Sequence, residues 1–213
     1  MSSLLSLLVA ALLLLNLVVL GSSRIGAVVR AVALQGAVLG ALTLAAHGHL
    51  GGTVFALAAA SILIKAWVIP AILSRALRRV AIQREVEPSL GPLASLLLGA
   101  LATALAMAAG GRFPVAEARL APLLVPASFA TVAVGFILLT TRRKAISQVL
   151  GYLVLENGIF IFGLLLLPAM PSLVEAGVLL DLFVGIFVSS IIIHHINREF
   201  SSLDTRRLSL LKD

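Results

Sequence analysis

Seven apolar stretches, near residues 4–21, 26–46, 52–73, 92–111, 121–140, 147–168 and 172–196, occupy most of this 213-residue chain. Each is long enough to cross a ~30 Å hydrocarbon core, which takes about 20 residues of helix. Inside lipid the backbone must satisfy its own hydrogen bonds, so runs of this kind are helices. The composition agrees: 61% of residues are hydrophobic, 12% are charged and the mean hydropathy is +1.15. A soluble domain carries ~45–50% apolar and ~25% charged residues. The sequence therefore predicts an all-α, polytopic membrane protein of about seven transmembrane helices, 1–213 forming one integral membrane domain.

The first run is expected to remain as a spanning helix. A signal peptide places its basic residues before the apolar segment, and here Arg24 comes after it. Lys and Arg are retained on the cytoplasmic side of a bilayer. Arg24 and Arg30, then Arg75, Arg78, Arg79 and Arg84, then Arg142, Arg143 and Lys144, then Arg198, Arg206, Arg207 and Lys212 mark alternate connections and the tail. The remaining connections hold only Arg112 and Arg119. This alternation fits a multi-pass protein of the inner membrane with the N-terminus outside and the C-terminus cytoplasmic. The net charge of +7 is thus a topology signal in contact with lipid headgroups, and no basic stripe suggests nucleic acid.

The chain has no cysteine, which removes disulfides, thiolate metal sites and iron–sulfur ligation. His47 and His49 lie in a glycine-rich outer turn as an incomplete ligand set, read as solvent-facing. There is no nucleophile paired with a base, no nucleotide loop and no metal cluster, so no catalytic site is expected on this chain.

What remains is a small set of ionisable residues inside the spans, where a charge costs at least ~2.5–3.5 kcal/mol and marks function by default. Glu156 lies ~13–15 Å from the basic edge Arg142–Lys144 by the helical rise. Lys65 lies ~12 Å from the inner edge if its helix leaves the membrane near Leu73, and Pro70 removes the hydrogen bond to Ala66 beside it. If the third and sixth helices are adjacent, the two groups form an ion pair or a two-member relay. Two plainer readings stand beside this one: Lys65 snorkels to the interface, and Glu156 only hydrogen-bonds a helix through a group such as Asn157 or Gln35.

Asp181 lies almost two turns deeper than Glu175, which starts the seventh helix, where a carboxylate gains from the helix dipole. His194 and His195 close that helix at the cytoplasmic edge, as ordinary interface residues or as groups exchanging protons with water. Gln35, with the spacing Gly36 to Gly40, reads as a packing surface. Residues 74–92 resemble a short amphipathic helix on the cytoplasmic side. The order Ser23-Arg24…Gln35 followed by Lys65 is echoed by Thr141-Arg142…Glu156 followed by Asp181. This is the pattern of two parallel three-helix repeats joined by the fourth helix.

The segments from Gly135 through Lys144, Leu155-Glu156-Asn157-Gly158 and Val174-Glu175-Ala176-Gly177 resemble the NuoK subunit of respiratory complex I and the MrpC antiporter subunit. The full length and the tail Ser202–Leu208 resemble the hydrogenase-4 component E (HyfE) family. The apolar runs and charges give helices 1–3 with a cytoplasmic connection over 1–91 and a linking helix over 92–120, and the resemblance makes 121–213, with its tail, a NuoK-like unit. It places Glu156 where NuoK has its second-helix glutamate and Glu175 or Asp181 at the third-helix one. Glu156 is about one turn further from the arginine pair than in NuoK, and Lys65 has no counterpart there.

The family resemblance implies a membrane subunit of a proton-translocating, group 4 nickel-iron hydrogenase or formate hydrogenlyase-type complex. Nickel-iron and iron–sulfur centres are expected on partner subunits, beside antiporter-like and quinone-site-like membrane subunits and a peripheral hydrogenase-like arm. Glu156, Lys65, Asp181, Glu175 and His194 are the residues expected to line a proton path. The alternatives are a subunit of a cation/proton antiporter and a purely structural membrane spacer.

Overall fold

The computed structural model describes residues 2–46, 52, 55, 59, 62–80, 89–110 and 121–166. Within them every element is helical: α1 (Ser2–Gly21), α2 (Ile25–Ala46), a π-helical segment (Ile62–Val68), α3 (Ile69–Val80), α4 (Pro92–Gly110), α5 (Ala121–Thr141) and α6 (Ala145–Leu166). Five of these helices, α1, α2, α4, α5 and α6, are long and apolar enough to cross a membrane. The chain is an all-α, multi-pass membrane protein, as its apolar runs predict. The seventh stretch, with Glu175, Asp181, His194 and His195, lies outside the described residues.

The described helix around the third stretch runs on to Val80, with Leu73 buried. The expected amphipathic helix over 74–92 falls, as far as Val80, within α3, which begins earlier, at Ile69, and is amphipathic. Its face toward the protein carries Ile69, Leu73 and Leu77.

Two helical hairpins, α1–α2 and α5–α6, form the framework, and their second helices and turns correspond in register. A shift of 120 residues carries α2, Ile25–Ala46, onto α6, Ala145–Leu166. The same shift carries the turn bond from Ser22 N–H to the Val18 carbonyl (3.0 Å) onto that from Arg142 N–H to the Leu138 carbonyl (3.0 Å). It also carries Val28 N–H to the Arg24 carbonyl onto Gln148 N–H to the Lys144 carbonyl. In this register Gly36, not Gln35, is the counterpart of Glu156. The sequence echo that pairs Gln35 with Glu156 is thus displaced by one position.

The α5–α6 hairpin is tight because glycines let the backbones touch. A methyl group on Gly158 would lie 2.6 Å from Val132 N and 3.0 Å from the Ser128 carbonyl oxygen, and one on Gly151 would lie 2.8 Å from Leu139 N. Ser128 Oγ donates to the Gly158 carbonyl at 2.9 Å, tying the helices at that crossing. α1 packs on α2, α4 and α5, while α2 packs on both the π segment and α6.

The core has two apolar parts. One joins Val19, Leu20, Val28, Val32, Leu73, Val134, Leu138, Leu150 and Val154, and the other joins Val9, Leu12, Leu39, Leu42, Leu124, Ile161 and Leu164. Along α1, α2, α5 and α6 alike, the residues between these two parts include buried polar ones: Asn16, Gln35, Thr131 and the pair Glu156–Asn157. The helices thus place a polar layer at a common depth, with apolar packing on both sides.

Candidate functional site

Lys65 is carried on the π-helical segment. A π turn is rare and holds an i→i+5 hydrogen-bond pattern, and the sequence supplies a local reason for it. Pro70 has no N–H to return to the Ala66 carbonyl, as an α-helix requires, or to the Lys65 carbonyl, as a π-helix would. Gly36 on α2 then admits the segment at close range: a Cβ there would lie 2.7 Å from Lys65 Cβ and 2.9 Å from Ala66 N. The Gly36 spacing read as packing is packing against the lysine itself.

The side chain points inward. Lys65 is 6% exposed, and its Nζ lies 3.1 Å from Glu156 Oε1. It also donates to Asn157 Oδ1 at 3.4 Å and sits 5.0 Å from the centre of the Phe160 ring. Glu156 and Phe160 are one helical turn apart, so α6 offers a carboxylate and a ring face to the same ammonium. The snorkelling reading of Lys65 is excluded by this burial. Lys65 and Glu156, at similar depths from the inner basic edge by the helical rise, meet.

The polar layer continues away from the pair. Asn157 Nδ2 donates to Gln35 Oε1 at 3.3 Å, Gln35 Nε2 to Asn16 Oδ1 at 2.8 Å, and Asn16 Nδ2 to Thr131 Oγ1 at 2.9 Å. Thr131 Oγ1 in turn donates to the Ala127 carbonyl at 2.7 Å. One chain of contacts therefore links the π segment, α6, α2, α1 and α5, with all its side chains buried. Buried amides left unpaired in an apolar interior cost several kcal/mol on transfer scales, and here each finds a partner. Gln35 belongs to this chain and is not a packing residue alone. Asn16 and Thr131 escaped the sequence reading, although Asn16 is the one polar side chain between Leu7 and Leu20.

Arg142, read as part of a basic topological edge, is 4% exposed, and its Nη2 donates to the Leu20 carbonyl at 2.8 Å. It closes the C-terminal end of α1, where carbonyls lack helical partners and the helix dipole favours a cation. Val19, Ser22, Ile25, Val28, Leu138, Ser147 and Leu150 surround a small pocket beside it. Arg143 keeps the expected exposed position, with its Nε 3.4 Å from Ser89 Oγ.

No group of three or more His, Cys, Asp or Glu able to hold a metal ion occurs among the described residues. Of the residues expected to handle protons, the structure brings Lys65 and Glu156 together. Asp181, Glu175 and His194 lie outside the described residues.

The chain is 34% identical over 189 residues to the uncharacterized protein Rv0085 of Mycobacterium tuberculosis, a match covering 88% of this chain and 86% of that one. It is 28% identical over 156 residues to hydrogenase-4 component E of Escherichia coli K12, covering 72% of this chain and 71% of the relative. The chain is a distant homologue of hydrogenase-4 component E. The same component of Shigella flexneri matches equally well. No family model and no solved structure matches the chain. This distant homology agrees with the multi-pass helical architecture.

Proposed function

We propose that this chain is a membrane subunit of a hydrogenase complex, and that its Lys65–Glu156 pair is part of a proton path coupled to electron transfer in other subunits. The observation that carries the reading is the buried ion pair, 3.1 Å long and seated between two apolar parts of the core. Bringing two charges out of water costs several kcal/mol each, and a hydrophobic pair of similar volume is often as stable or more so. A spacer subunit gains little from such a pair. A proton carrier gains two groups whose affinities depend on each other, because each ionised partner favours the charge of the other.

Glu156 is the central relay group in this reading and Lys65 its charge partner, with Asp181, Glu175 and His194 continuing the path. The N-terminus is outside and the C-terminus cytoplasmic. The chain is non-catalytic: nickel-iron and iron–sulfur centres sit on partner subunits, next to antiporter-like and quinone-site-like membrane subunits and a peripheral hydrogenase-like arm, as in formate hydrogenlyase-type assemblies. The relationship to hydrogenase-4 component E supports this over a cation/proton antiporter without a redox partner.

The test is Lys65→Met in the assembled complex in inverted membrane vesicles. Proton uptake driven by electron transfer is expected to fall at least about tenfold with the complex still assembled, since a tenfold change corresponds to only ~1.4 kcal/mol on the affected step. Normal uptake in a fully assembled variant refutes the proposal.

A further inference from the structure

The hydrogen-bond chain leading away from Lys65 has a direction, and chemistry fixes it. An ammonium has three donors and no acceptor, so the Asn157 atom facing Lys65 Nζ must be its Oδ1. Asn157 can then offer only its amide nitrogen to Gln35, Gln35 only its amide nitrogen to Asn16, and Asn16 only its amide nitrogen to Thr131. Three amides on α6, α2 and α1 are aligned with their oxygens toward the lysine. Thr131 ends the series by accepting from Asn16 and donating its own hydroxyl hydrogen bond to the Ala127 carbonyl. Bonds aligned in this way polarise one another, most strongly in a low-dielectric interior. A hydroxyl is also the end group that tolerates reversal: turned toward Asn16, Thr131 donates to Oδ1 in place of accepting from Nδ2.

We propose that Asn157, Gln35, Asn16 and Thr131 form an oriented arm whose hydrogen-bond direction is set by the charge on Lys65, transmitting that charge state across α6 and α2 to α1 and α5. Neutral amides neither bind nor release a proton in this range, so the arm does not extend the proton path. Gln35, Asn16 and Thr131 are positioning residues acting on Lys65 through Asn157. The arm's use in turnover rests on the proton-path reading above, in which the charge at Lys65 changes. Its existence does not.

The chain has three asparagines, Asn16, Asn157 and Asn197, and three lysines, Lys65, Lys144 and Lys212, so side-chain signals of selectively labelled protein can be told apart. The full chain labelled with [15N]asparagine is placed in lipid bilayers and examined by solid-state NMR as wild type and as Lys65→Met. The side-chain signals of both Asn157 and Asn16 are expected to shift, although the bond partners of Asn16 are Gln35 and Thr131. A shift of Asn157 with Asn16 unmoved overturns the proposal. Should Lys65→Met not fold, Thr131→Val and Thr131→Ser are compared in [15N]lysine-labelled protein. Thr131→Val is expected to move the Lys65 Nζ signal and Thr131→Ser to restore it, and an unmoved Lys65 signal in Thr131→Val overturns the proposal. Neither measurement reads proton transport, so the arm can fail while Lys65→Met still abolishes uptake, or survive while uptake proves normal.

Discussion

Gly36 and Lys65 meet backbone to backbone: a methyl group on Gly36 would stand 2.7 Å from Lys65 Cβ and 2.8 Å from the lysine carbonyl carbon. Neither atom is the free end of a flexible chain, so Gly36→Ala must push the π segment off α2. Overpacking of this kind costs ~1–3 kcal/mol. The expected outcome is a lower unfolding midpoint in detergent together with weakened proton uptake, because the lysine carried on the displaced backbone retreats from Glu156. Unchanged stability and uptake would show that the contact is looser than the structure has it.

The pair itself has a thermodynamic signature. Removing one partner leaves a charge in an apolar surround, and such single truncations cost ~3–5 kcal/mol. Lys65→Met and Glu156→Leu are each expected to destabilise the folded protein. The double variant Lys65→Met/Glu156→Leu recovers most of that loss, because two apolar groups of similar volume replace the pair without an orphaned charge. Unfolding midpoints of the two single variants and the double variant test this coupling directly.

At the inner edge, Arg142→Ala removes a charge-assisted hydrogen bond to the Leu20 carbonyl. Such bonds contribute ~1.5–3 kcal/mol. Faster amide exchange confined to the last turn of α1 is expected. Arg142→Lys restores this only in part, since an ammonium lacks the planar fork that reaches Leu20 from between the helices.

The α5–α6 crossing gives a further expectation. Gly158→Ala places a methyl 2.6 Å from Val132 N, a backbone atom that cannot rotate away. The hairpin must separate, weakening the bond from Ser128 to the Gly158 carbonyl. A destabilisation of ~1–3 kcal/mol is expected, measured as a lowered unfolding midpoint.

The helices were readable in the sequence because lipid makes the signal simple: long apolar runs bounded by basic residues. Glu156 and Lys65 stood out for the same reason, since a charge inside such a run has no cheap explanation. Their pairing was conditional on which helices touch, and depth along a helix says nothing of its neighbours. Gln35 looked like packing because an amide beside Gly36 fits that description equally well. Asn16 and Thr131 passed unnoticed because uncharged polar residues are tolerated in membrane helices, and their role arises only when four helices bring them to one depth. Arg142 has a second role that its position does not reveal. Its place in a basic cluster marks topology, and only the packing of α5 against α1 shows that it is also buried against the end of α1.

The most direct measurement of the central claim is the number of protons moved per electron in vesicles carrying the assembled complex with Glu156→Gln, which keeps the size of the side chain and removes its titration. The account expects electron transfer to continue while proton movement falls at least about tenfold. A ratio equal to that of the wild type, with the complex intact, would contradict it.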